Sequence, residues 1–116
     1  MGFGRIPQAG TDKGAGIGAA VRVDVSLRAR SDILDIHAYL SQRSPVAADR
    51  MLARFSQRFD ELREFPFLGP DRSELRASLR GLLIDGYVAF YVVEVDRIVI
   101  VRVVDGRRDI NREFSQ

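Results

Sequence analysis

The 116-residue chain contains no cysteine, which excludes a disulfide framework and a thiolate metal site and fits a reducing, cytosolic setting. His37 is its single histidine, and a lone helical histidine is a packing or surface residue. No second His and no Cys or carboxylate cluster stands at metal-ligand spacing, so neither a metal nor another cofactor is expected. Ser/His/Asp catalysis needs a base beside a nucleophile, and nothing singles one out. Long apolar runs are also missing. Tyr87 to Val93 and Ile98 to Val101 are the longest, far below the ~18 residues of a membrane span. The N-terminus lacks the apolar core of a signal peptide, so a soluble cytoplasmic protein with no membrane partner is expected. Lysine occurs only as Lys13, and the net charge is only +2. That is too little for a general nucleic-acid coat, so no direct sequence-specific nucleic-acid binding is expected and the arginines are read by position.

What is present describes one domain, since a chain of this length is long enough for one and too short for two. Residues 1–20 hold six of the ten glycines and no apolar period. They read as a flexible Gly-rich leader, unable to bury enough surface to offset its ordering entropy. The domain proper is expected over residues 21–116. From Val21 to Leu27 apolar and polar residues alternate, which predicts a half-buried strand. Ser26 stands where it caps a following helix, whose stripe is Ala29, Ile33, Ile36 and Leu40 and which ends near Arg43. Ser44-Pro45 starts a second helix with Ser as N-cap and Pro at the first position. Its core stripe is Ala48, Leu52, Phe55, Phe59 and Leu62, and Phe65-Pro66 ends it. The two make an antiparallel helical hairpin.

Leu79 to Ile84 reads as a strand, and Asp85-Gly86 is the turn pair of a two-residue hairpin. Tyr87 to Glu94 is apolar on both faces, as in a central strand covered on both sides. A turn near Asp96 leads to a last strand, Arg97 to Val104, and Asp109 to Gln116 reads as a short tail or helical turn. The order β-α-α-β-β-β predicts an α+β domain. A three-stranded antiparallel meander joins the first strand in one sheet, with the helical hairpin packed on one face.

Conventional catalytic equipment being poor, the remaining chemistry is metal-free RNA cleavage by cations and a proton-moving group. Arg80, Tyr87, Tyr91, Arg102, Arg107 and Arg108 are the candidates. Arg102 interrupts an apolar strand. Strict alternation puts it with Ile98, Ile100 and Val104, opposite Val99, Val101 and Val103, on a solvent- or partner-facing side. The bland alternative pairs it with Asp105 or Asp109. Asp32 and Asp35, three apart on the first helix, read as an ordinary solvated face.

An ordered set of fragments then identifies a family. Leu27 and Ala29 are followed by Asp32-Ile33, Ile36 and Tyr39-Leu40, then Ser44-Pro45, Ala47-Ala48, Phe65-Pro66 and Gly69. Gly86-Tyr87, Phe90-Tyr91 and the run Val101-Arg102-Val103-Val104-Asp105-Gly106-Arg107-Arg108-Asp109 close the chain. Over about residues 21–112 this pattern resembles the ParE branch of the ParE/RelE toxin superfamily. The resemblance implies the small RelE/ParE-like α+β fold and a short cognate antitoxin, commonly ParD-like, bound in a hetero-oligomer. ParE-like members poison DNA gyrase, whereas RelE-like members cleave mRNA in the ribosome. RelE-like nucleases carry basic residues after the helical hairpin, an arginine after the Gly-Tyr of the central strand and a terminal tyrosine or histidine. Here Val88 follows Gly86-Tyr87, lysine is missing from residues 21–116, and the last aromatic is Phe114, which cannot transfer a proton. Many relatives have His where Asp105 stands.

These absences favour a gyrase-directed toxin without chemistry of its own, its target contact at Arg102, Arg107, Arg108 and Arg112. The alternative is a ribosome-dependent mRNA endonuclease using Tyr91 with Arg107 or Arg108. A third reading is a relative that has lost toxicity and still binds its antitoxin. For the antitoxin, an apolar groove between the helices and the sheet edge is expected, filled by an amphipathic helix and an extended segment.

Overall fold

The computed structural model describes residues 21–108 and 110–114. The expected leader, residues 1–20, lies outside them, as do Asp109 and the last two residues. Strand β1 (Arg22–Val25) leads into helix α1 (Leu27–Ser41), and helix α2 (Pro45–Glu64) completes the helical hairpin. Strands β2 (Arg80–Ile84), β3 (Tyr87–Val93) and β4 (Arg97–Asp105) follow, and a single helical turn, α3 (Ile110–Glu113), comes last. The strands form one sheet in the order β1-β4-β3-β2, with β1 parallel to β4 and the other pairs antiparallel.

The local signals act as their chemistry dictates. Ser26 Oγ accepts the Ala29 amide at 3.0 Å, and Ser44 Oγ accepts that of Ala47 at 3.1 Å, so each helix begins with a satisfied donor. Asp85 and Gly86 have φ of 47° and 95°. That is the doubly positive geometry of a tight hairpin turn, closed by the pair Ile84 and Tyr87.

The hairpin's apolar stripe covers one face of the sheet. Ala29 and Ile33 of α1 and Phe55, Phe59 and Leu62 of α2 are buried against Val23, Leu82, Ala89, Tyr91 and Ile100. Phe55 stacks on Phe59 at 6.2 Å between ring centroids and meets the Tyr87 ring edge-on at 5.9 Å. The opposite face has a smaller core of Leu79, Phe90 and Val104, covered by Leu75, Ile110 and Phe114 among others. So β3 is covered on both sides, which explains its unbroken apolar run.

One expectation is corrected. Strand β4 does not alternate strictly: Phe90 faces Arg102 while Tyr91 faces Ile100. Val101 is therefore an extra residue, a β-bulge, and the strand changes phase there. Ile98, Ile100 and Val103 lie under the helices, while Val101 and Val104 join the smaller core. Arg102 does not share a face with Ile98 and Ile100, because pairing with β3 overrides the sequence's own period.

Tyr91 is fully buried in β3. Its hydroxyl donates to the Pro66 carbonyl at 2.7 Å and accepts the Gly69 amide at 2.9 Å, fastening the loop after α2 to the sheet. Tyr91→Phe leaves that buried amide without its partner and is expected to cost about 1–3 kcal/mol. Urea denaturation checks this; an unchanged midpoint would show that the loop is held otherwise.

Candidate functional site

The bulge and the end of β1 together create a problem that one carboxylate resolves. Pairing of β1 with β4 ends at Val25 and Ile100, so beyond Ile100 that edge of β4 has, among the described residues, no strand beside it. Asp32, a turn into α1, takes its place. Its Oδ2 accepts the Val103 amide at 2.8 Å and Arg102 Nε at 2.9 Å, and its Oδ1 accepts Arg102 Nη2 at 3.3 Å. Arg28, one turn earlier, approaches Asp32 Oδ1 at 3.6 Å. Arg102 reaches in the other direction to Glu113 of α3, Nη2 to Oε1 at 3.4 Å. With only 13% of its side chain exposed, Arg102 is a clasp between α1, β4 and α3. Its expected place on an open side is corrected accordingly, and among the described residues its partners are Asp32 and Glu113 and not Asp105; Asp109 lies outside them.

The arginines after β4 are arranged differently. The Arg107 amide donates to Asp105 Oδ1 at 2.9 Å, a local turn that Arg107 Nη2 extends to Oδ2 at 2.9 Å. The Arg107 side chain nevertheless stays 87% exposed. Arg108 Nη1 donates to Glu113 Oε2 at 3.3 Å and is 62% exposed, and Arg112 on α3 is exposed too. Of the four target-contact candidates, the structure gathers Arg102, Arg108 and Arg112 around one cleft of about 880 Å³. Arg107 faces a second cleft of about 320 Å³, where it meets Tyr39 and Tyr87.

Of the residues proposed for RNA cleavage, Tyr87, Arg102, Arg107 and Arg108 line that second cleft, and Tyr91 and Arg80 lie elsewhere. Tyr91 lies four residues along β3 from Tyr87, about 13 Å at the rise of a strand, and its hydroxyl is enclosed by the loop after α2. Burial pushes its phenol above the ordinary value, so it has neither a route to a substrate nor the acidity of a ready base. Arg80 is occupied in the same loop, donating from Nε to the Gly69 carbonyl at 2.7 Å with its guanidinium over the Phe67 ring. Tyr87 is half-buried beside Asp105; burial first, and then that carboxylate, raises its phenol as well. His37 bridges the helical hairpin to Asp49 at 3.0 Å.

Reading the sequence missed Asp32, Arg28, Arg76 and Glu113. Asp32 looked like a solvated position because its partners lie 70 and 71 residues away. Exposed apolar side chains occur on α1 (Leu27, Leu34) and in the loop after α2 (Phe65, Phe67), and Leu83 is exposed on the edge strand β2.

Residues 23–110 match the family model of the ParE toxin of the type II toxin–antitoxin system parDE. The chain is 36% identical to Toxin ParE3 of Caulobacter vibrioides over 69 residues, 60% of this chain and 69% of that protein. It is 33% identical to Toxin RelE3 of the same organism over 85 residues, 70% of this chain and 89% of that protein. In fold it matches a chain of the chromosomal ParDE system of P. aeruginosa, with a TM-score of 0.64, 18% identity and coverage of 74% of this chain and 96% of that one. A chain of the RelBE2 toxin–antitoxin complex of Mycobacterium tuberculosis matches with a TM-score of 0.54 and 23% identity, covering 74% and 98%.

The turn that aims Arg107 has a titration signature. The Arg107 side chain first, and its amide second, hold the Asp105 carboxyl down at about 2. A depressed carboxyl contributes stability that is present above its unfolded value of about 3.9 and lost as pH falls through the folded one. Carbon-detected NMR should therefore find Asp105 titrating near 2 and moving up toward the ordinary range in Arg107→Ala. An Asp105 that titrates normally in the unaltered protein would mean that the turn is not held this way.

Proposed function

The chain belongs to the ParE toxin family of type II toxin–antitoxin systems, and from that premise we propose that it acts on DNA gyrase by binding and not by catalysis. The observation that carries this reading is an exposed arginine surface from which Tyr91, the proton-moving group the RNA-cleavage reading calls on, is held away, buried and hydrogen-bonded to Pro66 and Gly69. Arg107, Arg108 and Arg112 present guanidiniums at the end of β4 and on α3, a residue type suited to interface hot spots because its planar fork makes several charge-assisted bonds. Arg102 is a positioning residue for Arg108 through Glu113. The family implies an antitoxin partner, and the fold is shared with chains of two toxin–antitoxin systems. A ParD-like antitoxin in a cytoplasmic hetero-oligomer completes the reading, with the exposed apolar residues of α1 and of the loop after α2 as part of its seat.

The likeness to Toxin RelE3 supports a second reading, cleavage of ribosome-bound mRNA. Its weak point is Tyr91, whose hydroxyl is engaged with Pro66 and Gly69.

A gyrase supercoiling and cleavage assay separates the two. Purified toxin is expected to inhibit supercoiling or trap double-strand breaks. Combining Arg107→Ala, Arg108→Ala and Arg112→Ala should raise the inhibitory concentration about tenfold or more. Untouched gyrase together with cleavage of ribosome-bound message would establish the second reading.

A further inference from the structure

The outer face of α1 carries a pattern that the fold does not use. Ala29 and Ile33 turn the helix's core stripe to the sheet. Leu27, Ser31, Leu34 and Ala38 run along the opposite side, all of them exposed, Leu27 to 84% and Leu34 to 61%. A lone exposed leucine is ordinary. These four residues, however, recur at steps of four, three and four, the spacing of a heptad seam with leucine at each d position and a small residue at each a. The positions that flank such a seam hold charges that choose the partner. Here Arg28 and Asp35 lie on one flank and Arg30 and His37 on the other. Asp35 is exposed and has no ion pair among the described residues. Arg28, 64% exposed, is held only by the 3.6 Å approach to Asp32.

We infer that this face is a self-association surface, on which a second copy of the chain lays its own α1 antiparallel. In that arrangement each d position faces an a position. Leu27 meets the partner's Ala38 and Leu34 meets the partner's Ser31. Both pairs share one register, so a single two-fold axis serves them, and the contact closes at a dimer. Flanking positions of antiparallel helices meet their own kind, which sets Arg28 beside the partner's Asp35 and Asp35 beside the partner's Arg28. The face is therefore complementary to itself in both size and charge. A parallel pair would stack leucine on leucine and serine on serine, crowded and hollow by turns, against the close packing that burial requires. Three helical turns bury less than the roughly 1,200 Å² of a stable interface, so the dimer is weak and forms at high concentration. Its leucines also belong to the seat proposed for the antitoxin, so the dimer is a form of the toxin freed of that partner. The pairing itself does not rest on that reading.

Sedimentation equilibrium of the purified full chain, without antitoxin or gyrase, tests this. A monomer–dimer equilibrium is expected. Leu34→Glu puts a carboxylate into the seam and should raise the dissociation constant about tenfold or more. Asp35→Arg sets two cations side by side and should raise it about fivefold. Adding Arg28→Glu to Asp35→Arg restores an opposite pair with the roles exchanged and should recover the dimer. Circular dichroism establishes that each variant is folded. Because the chain has no cysteine, its orientation can be read by cross-linking, since a disulfide forms only where Cα atoms come within about 7 Å. An equimolar mixture of Leu27→Cys and Ala38→Cys should give the mixed disulfide in excess over either same-variant one. A monomer at every concentration, a dimer indifferent to both Leu34→Glu and Asp35→Arg, or an excess of same-variant disulfides overturns the proposal. Gyrase takes no part, so failure of the gyrase reading shows in the supercoiling assay and not here.

Discussion

The carboxylate of Asp32 is the point on which the second half of the molecule hangs. Strand β1 is only four residues long, so β4 runs on past its parallel neighbour with an edge that no strand among the described residues pairs. A buried amide without a partner is costly. Asp32 accepts that of Val103 while holding the Arg102 guanidinium at two atoms. One side chain of α1 thereby replaces a missing strand and neutralises a cation that the bulge at Val101 turns inward. Arg102 passes the constraint on to Glu113, and Glu113 to Arg108. Helix α1, strand β4 and helix α3, already in apolar contact, are joined further by a line of charge-assisted bonds.

That line bears on function because it separates two kinds of arginine. Arg102 is held from both sides and supplies geometry; Arg107 and Arg108 are tied at one side and keep their outer atoms in water. Weakly hydrated, planar and permanently charged, such groups suit a surface that must grip a partner tightly and be covered by an antitoxin at other times. Burial raises the phenols of Tyr87, which lines the cleft that Arg107 faces, and of Tyr91, which the loop after α2 encloses.

Much of the fold was legible because its signals are local. Ser26 and Ser44 cap the helices they precede, the stripes of α1 and α2 give the face they bury, and Asp85-Gly86 sets the turn and register of the β2–β3 hairpin. The site was legible only in part. Arg107 and Arg108 stand out in a glycine-containing turn after an apolar strand. The place of Arg102 was not readable, since it depends on the extra residue at Val101, and a bulge is a property of pairing between two strands. Asp32 and Arg76 carried no signal of their own: an aspartate on a helix and an arginine in a polar loop are ordinary until residues far along the chain fold back on them. Tyr91 misled for the converse reason, because an aromatic hydroxyl in a central strand reads the same whether it faces a substrate or a loop.

The central claim is that Asp32 and Arg102 act as a unit, and a double-mutant cycle measures it directly. Urea denaturation of the unaltered protein, Asp32→Ala, Arg102→Ala and the double variant gives the coupling between them. For this partly buried, doubly bonded pair a coupling of about 2 kcal/mol is predicted, within the range found for residues in one network. Losses that simply add would contradict the account and leave the arrangement of the arginine surface to some other contact.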